Sequence, residues 1–168
     1  MHGFLIFTCW VFFIYTFLIL YYAFVFKARP CYIIPRGAVI PITKISVIIP
    51  ARNEAHNIGH CLDSILAQSH PKHFVEVIVV DDYSEDATAE IVKRYAAQNV
   101  KLITLQDHVT SPLNSYKKKA IEIAMAQATG TLVVTTDADC YLPARWLETI
   151  AAFYEEKKPA FIAAPVAI

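Results

Sequence analysis

Three clusters of polar side chains follow apolar runs of the sequence, and their residue types could act together on one ligand. Asp137 and Asp139 are the most informative, because two carboxylates at alternate positions after a strand can project to one side. Such a pair can hold a hard cation such as Mg²⁺ or Mn²⁺, which completes its coordination with water and substrate phosphates. The other two clusters are Arg52, Asn53 and Glu54, and the adjacent carboxylates Asp81 and Asp82.

Two other interpretations of reactive side chains stay open at this level. Asp is common in turns, so Asp137 and Asp139 could instead cap the helix that follows Pro143. His56 and His60 are four residues apart, which can place two imidazoles on one helix face. The pair lacks the Glu of the H-E-x-x-H motif and no third ligand is indicated, so we interpret these histidines as surface residues.

Composition argues against several other classes of protein. The chain has 168 residues, and its 15 Lys and Arg balance 15 Asp and Glu. It therefore lacks the excess of positive charge that is typical of proteins that bind nucleic acid. No C-x-x-C pair occurs among the four cysteines, which argues against a zinc knuckle and is typical of a reducing compartment. The glycines are too far apart for a Walker loop, a dinucleotide fingerprint or a serine-nucleophile elbow.

The elements that must position the polar clusters alternate between strands and helices. Short apolar runs of the kind found in buried strands lie at residues 44–50, 74–81, 100–105, 131–136 and 160–168. Helical patterns lie between them, around residues 58–66, 84–96, 115–128 and 143–157. This order predicts an α/β fold, an open and mostly parallel sheet with helices on both faces. Ligands of such sheets bind beyond the carboxyl ends of the strands, where the clusters lie.

Local signals predict where these helices begin and end. Asn53 is a candidate cap for the first helix after residue 50, Ser84 is a candidate cap for the next, and Pro143 suits the first turn of the last. Gly130 follows the helical pattern of residues 115–128, at the usual position of a left-handed cap.

The hydrophobic residues are concentrated near the N-terminus. No charged side chain occurs from Phe4 to Phe26, a segment that would form roughly 35 Å of helix and cross a hydrocarbon core of about 30 Å. A signal peptide would instead begin with positive charge and end in small residues. Lys27, Arg29 and Arg36 follow the segment, which places the rest of the chain in the cytoplasm by the positive-inside rule. We therefore expect a transmembrane helix with its flanks (1–27), a juxtamembrane linker (28–41) and a globular domain (42–168).

Taken together, three motifs resemble glycosyltransferase family 2, which has the GT-A fold. Residues 46–54 (SVIIPARNE) are similar to the opening motif of that family. Residues 77–88 (VIVVDDYSEDAT) are similar to its V-D-D-x-S-x-D-x-T segment, and residues 135–140 (TTDADC) to its D-x-D motif. All three occur in the order and spacing of the family between Ile42 and Ile168. The resemblance implies that residues 42–168 form the Rossmann-like, nucleotide-sugar-binding half of a GT-A domain.

The resemblance also implies roles for the first two clusters. Pro50, Arg52 and Glu54 would line the nucleotide pocket, and Asp82 or its neighbour Asp81 would accept a hydrogen bond from the base. Side chains of adjacent strand residues face opposite ways, so only one of the two carboxylates should reach the crevice.

For the third cluster the resemblance implies metal binding. Asp137 would lie near the ribose and the metal, and Asp139 would bind the Mg²⁺ or Mn²⁺ that bridges the diphosphate. Residues 117–119 are three lysines at the place where the family often has a Gly-Lys pair. Since no glycine precedes them, a solvated helix face is an equally good interpretation of these lysines.

The activity implied is transfer of a sugar from a nucleotide sugar, in the first place a UDP-sugar, to a hydroxyl of a lipid or polysaccharide at the cytoplasmic face of the cell membrane. A metal on the diphosphate would stabilise the leaving group, and an inverting transfer also needs a carboxylate base. In the family the base comes from a later segment, so we expect it beyond Ile168 and assign no catalytic residue. The apolar C-terminal end likewise predicts a truncated chain, inactive by itself.

Two alternatives differ from a glycosyltransferase. A non-catalytic, membrane-tethered module that binds nucleotide sugars, or an inactive fragment, would need no base. A sugar-phosphate nucleotidyltransferase would share the architecture but should begin with a glycine-rich loop after the first strand, and Pro50-Ala51-Arg52 contains no glycine.

Overall fold

Four of the predicted strands form one parallel sheet in the structure, a computed structural model that describes residues 2–28, 32–35, 39–108 and 115–163. The strands are β1 (Ile45–Ala51), β2 (Val75–Asp81), β3 (Val100–Thr104) and β4 (Leu132–Thr135). Their order in the sheet is β3-β2-β1-β4, and every neighbouring pair is parallel. The predicted parallel α/β sheet is confirmed. Of the predicted fifth strand, residues 160–163 are not in a strand, and residues 164–168 lie outside the described residues.

Helices cover both faces of this sheet, as predicted. They are α2 (Ile58–Leu66), α3 (Thr88–Lys93), α4 (Tyr116–Gln127) and α5 (Trp146–Lys157). On one face, α2, α3 and α5 bury side chains such as Leu62, Val92 and Leu147 against the strands. On the other face, Ala120 and Ala124 of α4 pack against the strands, and these small residues let the helix approach closely. The central strands are therefore buried on both sides, which is why they read as continuous apolar runs.

The helix starts differ from the predictions. Asn53 does not cap α2, which begins at Ile58; Asn53 adopts a left-handed backbone (φ 55°), and its Oδ1 accepts a hydrogen bond from Glu85 N at 2.8 Å. Ser84 does not cap α3, because its Oγ accepts a hydrogen bond from Asn53 N at 3.0 Å. Both polar side chains instead connect the loop after β1 to the loop after β2 by hydrogen bonds. Pro143 also lies outside the helix, since α5 begins at Trp146.

Gly130 has a different role from the left-handed cap that was predicted. Its φ is not in the left-handed region, and α4 ends before an extended Ala128. Gly130 instead passes directly against β1: a Cβ added to it would lie 2.5 Å from Ser46 N and 2.8 Å from the Ile45 carbonyl carbon. A hydrogen-bonded cluster holds this contact, because Gly130 N donates to both Ser46 Oγ (2.8 Å) and Glu76 Oε1 (3.1 Å). Burial favours the neutral form of Glu76, but these hydrogen bonds outweigh it and hold the pKa of Glu76 below its ordinary 4.5.

We expect Gly130→Ala to destabilise the protein by about 1–3 kcal/mol, because the added methyl group meets rigid backbone rather than a movable side chain. The matched control is Gly59→Ala within α2, where the new Cβ would be in ordinary contact with Tyr95 Oη at 3.7 Å. That control should stabilise the protein by about 0.5–1 kcal/mol through helix propensity. Urea unfolding of both variants measures the difference, and equal stability of the two would contradict the close approach.

The N-terminal part of the chain is a separate unit. By contacts the chain divides into residues 1–33 and 34–168, and the first unit contains α1 (His2–Ala28). Among the described residues, Gly3–Ala28 is the one helix long and apolar enough to cross a membrane, with a mean hydropathy of 2.3 in its most apolar window. Arg29 and Arg36, on which the predicted orientation depends, lie outside the described residues.

Candidate functional site

A cavity of about 240 Å³ lies at the carboxyl ends of β1, β2 and β4. Its walls come from the three polar clusters and from α4, and the residues that line it are Pro50, Ala51, Arg52, Glu54, Asp82, Lys117, Asp137, Ala138 and Asp139. Every predicted site residue except Asp81 is among them. The parallel sheet causes this convergence, because it brings the ends of strands that are distant in sequence to one edge.

The loop after β1 is held in place by the loop after β2. Glu54 N donates to Thr88 Oγ1 at 2.8 Å, and Ala55 N donates to Asp86 Oδ2 at 3.0 Å. Asp86 Oδ1 also accepts hydrogen bonds from Thr88, which hold the pKa of Asp86 below its ordinary value. Neither Asp86 nor Thr88 is among the site residues predicted from the sequence. The D-x-T spacing of the second motif was the available signal, since it places a carboxylate and a hydroxyl at the start of α3.

Asp82 is the carboxylate of the second cluster that reaches the cavity. Its backbone N donates to Ala51 O at 2.8 Å, which continues the β1–β2 ladder by one residue. The residue is only 8% exposed, and its Oδ1 is buried without a hydrogen-bond partner among the described residues. Burial and the charge of Asp81 raise the pKa of Asp82, and the Arg52 guanidinium opposes this rise. A buried acceptor at a cavity wall is suited to an N–H donor of a ligand.

Asp81 occupies the last position of β2 and is buried at 5% exposure, but it does not line the cavity. The alternation of side chains along the strand accounts for this difference, because successive residues face opposite sides of the sheet. The two adjacent carboxylates are therefore not equivalent.

Asp137 and Asp139 both face the cavity, on either side of a buried Ala138. The turn that carries them is held at Asp137 O, which accepts from Cys140 N at 3.4 Å and from the Cys61 thiol at 3.7 Å. The interpretation of these residues as a helix cap is wrong. Helix α5 begins at Trp146, and the residue before it, Arg145, makes no side-chain capping bond.

The carboxylate pair fits a small divalent cation. Mg²⁺ binds in proteins through one or two carboxylates and completes its octahedral shell with water and substrate phosphates. Asp137 and Asp139 supply such a pair beside open space. Among the described residues no cluster of three or more His, Cys, Asp or Glu could hold a metal. His56 and His60 are exposed, and His56 precedes the first residue of α2.

Lys117 supplies positive charge to the same cavity. Its Nζ lies 2.6 Å from Asp137 Oδ1. The first turn of α4 is held by Tyr116, whose ring contacts Tyr83 edge-on with the ring centroids 5.7 Å apart. Of the three adjacent lysines, Lys117 is the one that lines the cavity, and Lys119 pairs with Glu122 at 2.7 Å. The sequence could not distinguish among them.

Comparison with known families and proteins agrees with this architecture. Residues 46–168 match the sequence model of the family described as "Glycosyl transferase family 2". Glycosyltransferase AglE of Haloferax volcanii is 36% identical over 104 residues, which cover 62% of this chain and 33% of AglE. The poly(ribitol-phosphate) beta-N-acetylglucosaminyltransferase TarS of Staphylococcus aureus is 37% identical over 114 residues, which cover 67% of this chain and 19% of TarS.

Two solved structures are similar and contain ligands. The structure of TarS 1-349 in complex with UDP-GlcNAc is 35% identical with a TM-score of 0.59, over 68% of this chain and 32% of that chain. The mannosyltransferase PcManGT from Pyrobaculum calidifontis in complex with GDP-Man and Mn²⁺ is 31% identical with a TM-score of 0.62, over 82% of this chain and 39% of that chain. The present chain thus spans about a third or less of the length of the curated relatives given above.

Proposed function

The chain belongs to glycosyl transferase family 2, and from this premise we propose that it binds the donor in a glycosyltransferase that moves a sugar from a nucleoside-diphosphate sugar to an acceptor hydroxyl. The observation that carries the proposal is that Asp82, Asp137 and Asp139 line one cavity at the ends of three strands. Asp82 supplies a buried hydrogen-bond acceptor suited to a base, and Asp137 and Asp139 supply a carboxylate pair suited to a metal-bound diphosphate.

The residues of the cavity have separate tasks in this proposal. Asp82 accepts a hydrogen bond from a base N–H, and its burial excludes water that would compete for that bond. Arg52 and Lys117 place positive charge in a cavity that otherwise holds four carboxylates, Glu54, Asp82, Asp137 and Asp139. Asp137 and Asp139 would hold Mg²⁺ or Mn²⁺, which when bound neutralises the charge that develops on the departing nucleoside diphosphate.

The sugar transfer that we propose is inverting. The acceptor oxygen forms the new bond to the sugar as the bond to the diphosphate breaks, and the hydroxyl proton passes to a carboxylate base. We assign no residue of this chain to that base. We propose a lipid or polysaccharide acceptor, and the similarity to TarS, a poly(ribitol-phosphate) beta-N-acetylglucosaminyltransferase, supports a polymeric one.

Calorimetric titration of the full chain in detergent tests the proposed donor. We expect binding of UDP-GlcNAc or GDP-mannose that is strengthened by Mn²⁺, with a preference for the UDP-sugar. Support for UDP comes from the TarS complex, whereas the Pyrobaculum enzyme was solved with GDP-Man. Absence of binding by every nucleotide sugar tried, with Mn²⁺ present, would refute the proposal.

We further propose that α1 anchors the protein in the cell membrane as a single span, with residues 34–168 in the cytoplasm. The length and apolar composition of α1, followed by Lys27, Arg29 and Arg36, support this topology. Protease added to sealed inside-out vesicles should digest residues 34–168, whereas right-side-out vesicles should protect them. Protection in the inside-out vesicles would contradict the proposed orientation.

A further inference from the structure

One of the two carboxylates that a metal would use already has a cationic partner. Lys117 Nζ lies 2.6 Å from Asp137 Oδ1, which is direct ion-pair contact. Asp139 makes no salt bridge among the described residues. Its Oδ1 accepts a hydrogen bond from the weakly polar thiol of Cys140, with a sulfur–oxygen distance of 3.9 Å. The ammonium group of Lys117 therefore neutralises the charge of Asp137, whereas the charge of Asp139 has no cationic partner among the described residues.

The ion pair between Lys117 and Asp137 is weak enough for Lys117 to change its partner. The two side chains are 61% and 60% exposed, and ion pairs at such positions contribute only about 0.2–1 kcal/mol. Lysine is a flexible point charge with three donors, so its ammonium can move between anionic partners. The backbone beneath it is held, because Tyr116 packs on Tyr83. The ammonium can thus change partner while α4 stays in place.

We propose that Lys117 is a positioning residue that couples metal binding to donor binding, by pairing with Asp137 in the metal-free protein and with the diphosphate in the loaded one. This inference rests on the proposed function. A cation that binds Asp137 Oδ1 displaces Lys117 from that oxygen, which lowers the affinity of the empty site for metal. An anionic diphosphate gives the displaced ammonium a new partner, so the nucleotide and the metal strengthen the binding of each other.

The test is Mn²⁺ binding to the full chain in detergent, measured by electron paramagnetic resonance with and without UDP. Without UDP, Lys117→Met should bind Mn²⁺ about two- to fivefold more tightly than the wild type. This factor corresponds to the free energy that an exposed ion pair contributes. The factor by which UDP strengthens Mn²⁺ binding should fall by about the same amount. A purely structural role of Lys117 would not predict tighter metal binding in the variant.

The matched control is Lys118→Met, which removes the same charge from the next position of α4. Lys118 is exposed and is not among the described residues that line the cavity, so its variant should match the wild type within about twofold. Unchanged or weaker Mn²⁺ binding by Lys117→Met without UDP would overturn the inference, as would equal effects of the two substitutions. If the wild type binds Mn²⁺ but neither UDP nor a nucleotide sugar, the proposed function fails by itself, and the Mn²⁺ titration alone still decides whether Lys117 competes for Asp137.

Discussion

Replacing Asp139 by Ala is expected to weaken binding of a nucleotide sugar about 100-fold or more in Mn²⁺, and to change it little in EDTA. Partners that only orient a metal ligand already contribute about 10–100-fold in metal affinity, so loss of a ligand should cost at least as much. Without metal, the Asp139 carboxylate can only repel the phosphates, and its loss cannot weaken binding. Isothermal titration calorimetry of the wild type and of Asp139→Ala, each with Mn²⁺ and with EDTA, measures how far the effect of Asp139 depends on metal.

Asp63→Ala is the charge-matched control for this experiment. Asp63 is an exposed carboxylate of α2 that accepts a hydrogen bond from Tyr95 Oη at 3.0 Å and does not line the cavity. We expect it to bind the nucleotide sugar as the wild type does in both buffers. If Asp139→Ala binds normally with Mn²⁺ present, the carboxylate pair is not a metal site, and the proposed function loses its main support at the level of residues.

Replacing Asp82 by Ala is expected to weaken binding about 10- to 100-fold whether or not Mn²⁺ is present. A hydrogen bond to a charged group contributes about 1.5–3 kcal/mol, and the Asp82 carboxylate is buried where water competes poorly. Preference for UDP over GDP should also diminish, because the lost bond is made to the base. Titration with both nucleotides in Mn²⁺ and in EDTA separates this effect from that of Asp139.

Acidification provides a second test of Asp82. Because burial and Asp81 raise the pKa of Asp82 above its ordinary 3.8, the carboxylate should gain a proton at a higher pH than an exposed Asp. The ionised form accepts the bond from the base, so affinity should fall as the pH is lowered through this raised pKa. The Asp82→Ala variant should lack that part of the pH dependence.

The neighbouring carboxylate supplies the control for Asp82. Asp81→Asn keeps the size of the side chain and lies outside the cavity, so its affinity should stay within about twofold of the wild type provided that thermal unfolding shows an intact fold. A larger loss of affinity in Asp81→Asn than in Asp82→Ala would show that Asp81, and not Asp82, recognises the base.

Much of this architecture could be predicted from local patterns in the sequence. Strands such as Val75–Asp81 are short β-branched runs because both of their faces are buried, and burial on both faces removes the polar alternation. The three polar clusters were recognisable since parallel strands of an α/β sheet present their carboxyl ends to ligands. The same patterns misled at Asn53 and Ser84, which are good capping residues but bond to each other's loops instead.

The way these elements combine depends on contacts between residues that are distant in the chain. Gly130 and Ser46 are 84 residues apart in the chain, so the close approach that requires glycine leaves no local trace. Lys117 and Asp137 are 20 residues apart, and a run of three lysines does not reveal which of them reaches a carboxylate. The choice between Asp82 and Asp81 depends on where β2 ends and which face α4 covers. The elements and the polar residues at their ends could be predicted from local patterns, because both follow from burial and propensity within each segment. The contacts among those residues depend on the strand order β3-β2-β1-β4, which is set by packing between segments distant in the chain.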